Sequence, residues 1–345
     1  MLHLLRLLRG HIALRLAGLL LLATHLGCIA KPENEVVIYS AADREFAAPI
    51  LSAFARRNEG VDLAIQYDIE STKTVGLVTR IQNEAQRTRC DVFWNNEILH
   101  TLRLEKEGLL KKVSWDIPRN WPQNMQSRKG TWVGFAARAR ILLVNTELLT
   151  PDEYPSRVED LANPVFADKG CFASPAYGTT ATHFAVLYSR LGKEKATGLF
   201  ERFKENATVL SGNKQVAQMV ASGGKAFGLT DTDDALVEIA AGLPVKIIFP
   251  DQRSSEVGTL RIPNSVSVMK DAPHPVAATK LANYLVGEDT EGRLAMGPSG
   301  QIPIRPGHPV KSQAEGDAAI RWMDVDFYQA ADVWDEVAEI IREMF

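Results

Sequence analysis

Residues 36–97 read VVIYSAADREFAAPILSAFARRNEGVDLAIQYDIESTKTVGLVTRIQNEAQRTRCDVFWNNE. An apolar strand, Val36–Tyr39, runs into Ser40-Ala41-Ala42-Asp43 and then an apolar helix. A second strand, Leu63–Tyr67, runs into Asp68-Ile69-Glu70-Ser71-Thr72-Lys73-Thr74 and another helix, and a third, Asp91–Trp94, ends in Asn95-Asn96-Glu97. Phe46, Ile50 and Phe54 recur at four-residue steps in the first helix, and Leu77, Val78 and Ile81 form the stripe of the second, with Ser71 or Thr72 as its cap. Each strand delivers polar side chains just past its carboxyl end, where open α/β sheets bind ligands. The stretch predicts a small-ligand binder on a parallel sheet.

Working back from Val36, the amino terminus has the form of an export signal. Arg6, Arg9 and Arg15 precede any acid, Leu16–Leu22 is a short apolar run, and Leu26-Gly27-Cys28 follows. Residues 1–27 are therefore expected to be removed, with Cys28 as the first mature residue and its thiol acylated; the alternative is an ordinary leader or signal anchor. Removing that segment takes away three arginines and no acid, so the net charge of -3 falls by three to -6. A mildly acidic chain without a Lys/Arg cluster argues against nucleic acid as a partner. Its 345 residues suit two domains better than one. Cys90 and Cys171 each open an apolar strand and are expected to be buried, unpaired thiols.

Working forward, strand-then-helix alternation continues. Residues 105–130 read as loop and turn, and 133–145 as a long apolar run interrupted by Arg138 and Arg140. A strand at 171–174 leads into Ser174-Pro175-Ala176-Tyr177-Gly178-Thr179-Thr180 and a helix. Further elements are a helix over 214–222, a strand over 226–230 running into Asp231-Thr232-Asp233-Asp234, and strands at 246–250 and 259–269. Residues 326–345 are amphipathic, with Phe327, Ala330, Trp334, Val337 and Ile341 on one face.

No P-loop, G-x-G-x-x-G, H-E-x-x-H, C-x-x-C or G-x-S-x-G occurs, and no nucleophile–base pair identifies itself, so an enzyme is not expected. The candidate ligand groups lie at the strand ends. Asp231, Asp233 and Asp234 place three carboxylates within four residues. Such acids require a cation, an arginine, donors or water, unless they serve only as caps on a helix start. Thr179 and Thr180 at a helix amino end form an anion site or a plain cap. His183, further along, is a packing group or a metal ligand. Glu97 is expected to face the cleft, the alternative being a solvated surface acid, and Glu70 and Lys73 can pair with each other. Arg138 and Arg140 project to one face of a strand and need a partner, either an acid of that cluster or an anionic ligand.

Together these segments resemble the periplasmic solute-binding proteins of ABC importers, specifically the ferric-iron-binding, transferrin-like group. The likeness runs from Val36–Ser40 through Cys90–Trp94, Ala136–Asn145, Gly178–Thr180 and Gly228–Asp234 to Ile302-Pro303-Ile304-Arg305-Pro306. It implies a two-lobe α/β fold of the type II periplasmic-binding kind with the ligand cleft between lobes, no cofactor, a monomer, and delivery to a membrane permease from a periplasmic or membrane-anchored position. The expected lobes are 34–138 with 248–295, and 139–247 with 296–345, crossing at 133–145 and 246–250. In the iron-binding relatives a histidine falls at Asp43, an acid at Asn96 or Glu97, the paired iron-ligating tyrosines at Asp233 and Asp234, and the anion-holding turn at Gly178-Thr179-Thr180. Phenolates are thus absent where iron would take them. Hard cations accept carboxylate oxygens, so Asp43, Glu97, Asp233 and Asp234 are expected to make an oxygen-rich site, with Glu97, Asp233 and Asp234 as its metal ligands. Ferric iron or another hard cation with a companion anion is the expected cargo. The alternative is an aminoalkylphosphonate or similar zwitterion, its anionic head on Ser40, Thr179 and Thr180 and its ammonium on Asp233 or Asp234; an enzyme on the same fold is a remote third. An empty cleft is expected to stay open, since burying an unpaired carboxylate costs roughly several kcal/mol.

Overall fold

The computed structural model describes residues 35–68, 74–316 and 319–345. The leader, Cys28 and the Glu70–Lys73 stretch lie outside the described residues. The chain begins with β1 (Glu35–Ser40), α1 (Arg44–Arg57), β2 (Asp62–Tyr67), α2 (Val75–Asn83), β3 (Val92–Asn95) and α3 (Leu99–Lys106). β1 pairs in parallel with both β2 and β3, which brings Ser40, Tyr67 and Trp94 level at the carboxyl edge. The strand-then-polar-tail reading of residues 36–97 is thus realised as three adjacent strands whose tails share one edge.

The next strand, β4 (Trp132–Asn145), joins the two halves of the molecule. All fourteen of its residues are buried, which accounts for its near-continuous apolar composition. Residues 132–139 pair antiparallel with β9 (Arg261–Val268), which in turn pairs with β3. Residues 140–144 pair with β7 (Phe227–Asp231), and 142–145 with β8 (Val245–Ile248). β5 (Gly170–Ala173) and β6 (Ala207–Leu210) complete the second half, giving the strand order β2-β1-β3-β9-β4-β7-β5-β6 with β8 alongside β4. The passage back between the halves runs after β8, over residues 249–260, and is tied to β4 where Arg140 N donates to the Leu260 carbonyl at 2.9 Å. Gly258 permits this at φ +87°, where an added Cβ would stand 2.7 Å from the Arg321 carbonyl oxygen.

Helices flank the second half: α4 (Gly178–Leu191), α5 (Lys193–Asn206), α6 (Asn213–Ala221) and α7 (Thr232–Ala240). After β9 come α8 (Pro275–Leu285), α9 (Glu288–Met296), α10 (Phe327–Asp332) and α11 (Trp334–Met344). The amphipathic tail is two helices, not one: the helix is interrupted at Val333, and Trp334 sets its ring edge-on to His100 at 5.9 Å. α10 rests on both α3 and α4, and Ile302 pairs with Ala137 of β4, so the last fifty residues touch both halves. Cys90 and Cys171 are free and buried. Among the described residues no helix is long and apolar enough to cross a membrane.

β4 carries one irregularity. Its register against β9 slips between Phe135 and Ala137, and Ala136 sits at φ +37°, a conformation costly for a residue with a side chain. The buried Glu291 of α9 holds it: Oε1 accepts from Ala136 N and Ile304 N, each at 2.8 Å, and Oε2 from Arg305 N at 3.1 Å. Asn264 of β9 donates to the Ala136 carbonyl.

Candidate functional site

Asp231 closes β7 and stands where a helix cap would. It does not cap. Its Oδ1 accepts from Arg140 Nη1 at 2.7 Å, and its Oδ2 from Thr179 Oγ1 at 2.5 Å and Asn213 Nδ2 at 2.9 Å. Arg140 is fully buried and also donates to Asn213 Oδ1 (3.1 Å), Thr179 Oγ1 (3.2 Å) and Thr180 Oγ1 (3.2 Å). Residue 140 in the middle of β4, residues 178–180 after β5 and residue 213 after β6 are thereby knitted around one carboxylate. Sequence reasoning did not single out Asn213. Its signal is Ser211-Gly212-Asn213, a short polar turn between β6 and α6 that repeats the layout of Gly178-Thr179-Thr180 between β5 and α4.

Arg138, two residues earlier on the same strand face, spans the cleft. Its Nε lies 3.3 Å from Asp233 Oδ2 on α7, and its Nη1 donates to the Asn96 carbonyl after β3 at 3.1 Å. With the Gln301 amide turned to satisfy its neighbours, Gln301 accepts from Arg138 Nη2 at 3.1 Å. Burial works against the guanidinium charge, but Asp233, Asp231, Asp43 and Asp234 outweigh it and hold Arg138 firmly protonated. The two arginines of β4 therefore take acids as their partners, one each.

One oxygen from each of Asp231, Asp233 and Asp234 lies within 4.8 Å of the others, a geometry that suits a cation. Asp231 and Asp233 are buried, while Asp234 is half-exposed. They line a chamber of about 30 Å³ together with Asp43, Asn96, Arg138, Tyr177 and the Gly178–Thr180 turn. Asp43 and Asp234 also line a wider mouth of about 920 Å³ edged by Arg44, Arg56, Lys214 and Arg293. At the chamber's rim, α4 presents its amino end: the first intrahelical bond is Ala181 N to the Tyr177 carbonyl, leaving the amides of residues 178–180 as the helix's open donors.

Other expected site residues lie elsewhere. Glu97 is fully buried, neither solvated nor aimed into the chamber. Its Oε1 accepts from Asn95 Nδ2 (2.7 Å) and His100 N (3.1 Å), and its Oε2 from Leu99 N and from Thr182 Oγ1 of α4 (2.9 Å). It caps α3 and ties that helix across to α4. The carboxylates that come together are therefore Asp231, Asp233 and Asp234, not the set containing Glu97. Burial, the largest influence, pushes the Glu97 carboxyl up against the hydrogen bonds that lower it. Ser40 is buried, its hydroxyl turned to the Ala42 carbonyl at 3.5 Å. His183 is fully buried with no hydrogen-bond partner on either ring nitrogen, and burial together with nearby Arg140 pushes it well below the usual imidazole range. The acids are balanced by arginines rather than left unpaired, so the charge argument for an open empty cleft does not hold.

A profile of the bacterial extracellular solute-binding proteins matches residues 100–330. Iron uptake protein A1 of Synechocystis sp. is 25% identical over 291 residues, which cover 81% of this chain and 78% of that protein. The ferric binding protein from Campylobacter jejuni superposes with a TM-score of 0.81 at 20% identity, over 90% of this chain and 99% of the other. Apo ferric ion-binding protein A from Pasteurella haemolytica gives 0.78 at 22% identity, over 90% and 98%. At that identity the structural likeness speaks for the two-lobe α/β fold alone. With two thirds of its length matched by the family profile, the chain belongs to the bacterial extracellular solute-binding proteins.

Proposed function

We propose that this protein is the solute-binding component of an ABC importer that captures a hard cation with a companion oxyanion outside the cytoplasm and hands it to a membrane permease. The observation that carries this reading is the convergence of Asp231, Asp233 and Asp234 within 4.8 Å in a chamber of about 30 Å³. That volume matches one water or one ion, and all-oxygen donors select hard cations. The open amides of residues 178–180 would receive the oxyanion. Ferric iron is the first cargo to test, since the relatives carry iron in their names. Held by carboxylates at Asp233 and Asp234, it would lack the visible colour of iron on phenolate. The role is binding and transfer, not catalysis. The protein would work as a monomer, held at the membrane through a lipid on Cys28.

A zwitterion is the second reading, favoured by the pairing of Asp231 and Asp233 with arginines, which leaves a small net negative charge that suits an ammonium better than a trivalent ion. Elemental analysis of the purified protein and calorimetry with ferric nitrilotriacetate, Mn²⁺, Ca²⁺ and aminoethylphosphonate separate the two. Binding of a metal that depends on phosphate or carbonate supports the first. Binding of aminoethylphosphonate alone replaces it with the second, and no binding of any probe removes both.

A further inference from the structure

Arg138 places a positive charge of the protein's own, 4% exposed, among the acids that would receive the cargo. It sits on β4 where pairing passes from β9 to β7, and so at the junction of the two halves. One of its nitrogens faces Asp233 in the second half at 3.3 Å, and another donates to the Asn96 carbonyl in the first at 3.1 Å. Building on the cation reading above, we propose that Arg138 is a resident stand-in for the cargo, bridging Asn96 and Asp233 when the cleft is empty and competing with the incoming cation for Asp233. Arg138 thus determines which cations the site accepts.

Two physical points support this. A buried acid without a counter-charge opposes closure, and Arg138 supplies that charge from within. A metal ion beside Asp233 would stand next to the guanidinium, and like charges at that separation in a dry chamber repel. The guanidinium is not held by Asp233 alone: its bonds to the Asn96 carbonyl and to Gln301 use its other two nitrogens and do not depend on the Asp233 contact. Cargo binding is then an exchange of one cation for another on Asp233. Weakly charged cargo pays the cost of displacing Arg138 without sufficient return, so the device selects for high charge density. Arg140 does not share this role: its acid, Asp231, is engaged on both oxygens by Arg140, Thr179 and Asn213.

The test is Arg138→Gln, which keeps hydrogen-bonding capacity and removes the charge, assayed by calorimetry with ferric nitrilotriacetate, Mn²⁺ and Ca²⁺ beside the unaltered protein. The expected result is cation affinity raised by about tenfold or more, corresponding to relief of one close like-charge contact. The gain should be largest for the divalent ions, and small-angle scattering should find the empty variant more open than the empty wild type. Affinity equal to or weaker than wild type would overturn the proposal, and weaker binding with loss of oxyanion dependence would make Arg138 an anion holder instead. If neither protein binds any cation, the cation reading itself falls and this inference with it. Should the variant fail to fold, the ¹⁵Nε–H signal of Arg138 in the unaltered protein decides. A shift and faster exchange on metal addition support displacement, and an unmoved signal on a metal-saturated protein refutes it.

Discussion

Asp231→Asn tests whether the acid at the end of β7 is chiefly a structural anchor. The substitution removes the counter-charge of Arg140, whose guanidinium is fully buried and 2.7 Å from it. Stranding one member of a buried ion pair costs about 3–5 kcal/mol. Asparagine keeps one carbonyl oxygen for Arg140, but its amide now faces the Thr179 hydroxyl and the Asn213 amide, which donate to Asp231 Oδ2 at 2.5 and 2.9 Å. The hydroxyl can turn to accept from that amide, but the Asn213 amide cannot, and loss of its bond, about 0.5–1.5 kcal/mol, offsets part of what the retained oxygen saves. A total near 3–5 kcal/mol lowers the melting temperature by roughly 6–20 °C, taking about 2–4 °C per kcal/mol for large domains. Urea unfolding followed by circular dichroism measures it. The double variant Arg140→Leu with Asp231→Leu should be less destabilised than the sum of its two single changes, because no charge is left behind. A loss below about 1 kcal/mol for Asp231→Asn, or strict additivity in that cycle, would refute the reasoning.

Asp234→Asn, at a half-exposed carboxylate facing both chamber and mouth, should weaken cation binding at least tenfold in calorimetry while leaving urea stability within about 0.5 kcal/mol of wild type. His100 is held neutral by burial and by Arg103, its value lowered to about 3 against an ordinary 6.5. The unfolded chain therefore binds more protons between those values, and stability present above pH 6.5 is lost as pH falls toward 3. His100→Gln should flatten that part of the stability–pH curve. Asp251 acts in the opposite sense: burial, the largest influence, raises it from 3.8 to about 6, so its contribution is full below pH 3.8 and lost as pH rises through 6. Asp251→Asn should then stabilise the protein at pH 7 and be neutral at pH 3.5, by thermal melts at both. Cys90 and Cys171, buried and with thiols pushed upward by burial, should ignore a thiol reagent in the native state and both react in urea.

Most of the frame was legible because its signals are local. Val36–Tyr39 and Asp91–Trp94 read as buried parallel strands from composition, and their polar tails are fixed by where such strands end. Arg138 and Arg140 were legible as partners for buried acids because alternation on a strand puts both on one face. Glu97 was misplaced for a physical reason: an acid two residues before Leu99 N serves equally as a cap or as a cleft ligand, and only the position of Thr182, eighty-five residues away, decides between them. The break at Val333 left no mark on an apolar stripe that continues through it. α5 was missed although Ala196, Leu199, Phe200 and Phe203 carry the helical period, because Lys193 to Asn206 is otherwise dense in charge. The pairing of β9 with β3 is non-local and has no sequence signature.

That last pairing governs the order in which the molecule can be assembled. The exposed side of β3 waits for β9, whose residues follow it by some 170 positions, and β4 meets partners on both sides only from later segments. A nascent chain therefore cannot close its first sheet until residue 268 has been made. Loop closure of that length must precede the contacts that reward it, so folding is slow and comes late in synthesis. For a member of an extracellular family this wiring has a use: the first half of the molecule stays open until residue 268 has been made, the state in which a chain can be threaded across a membrane.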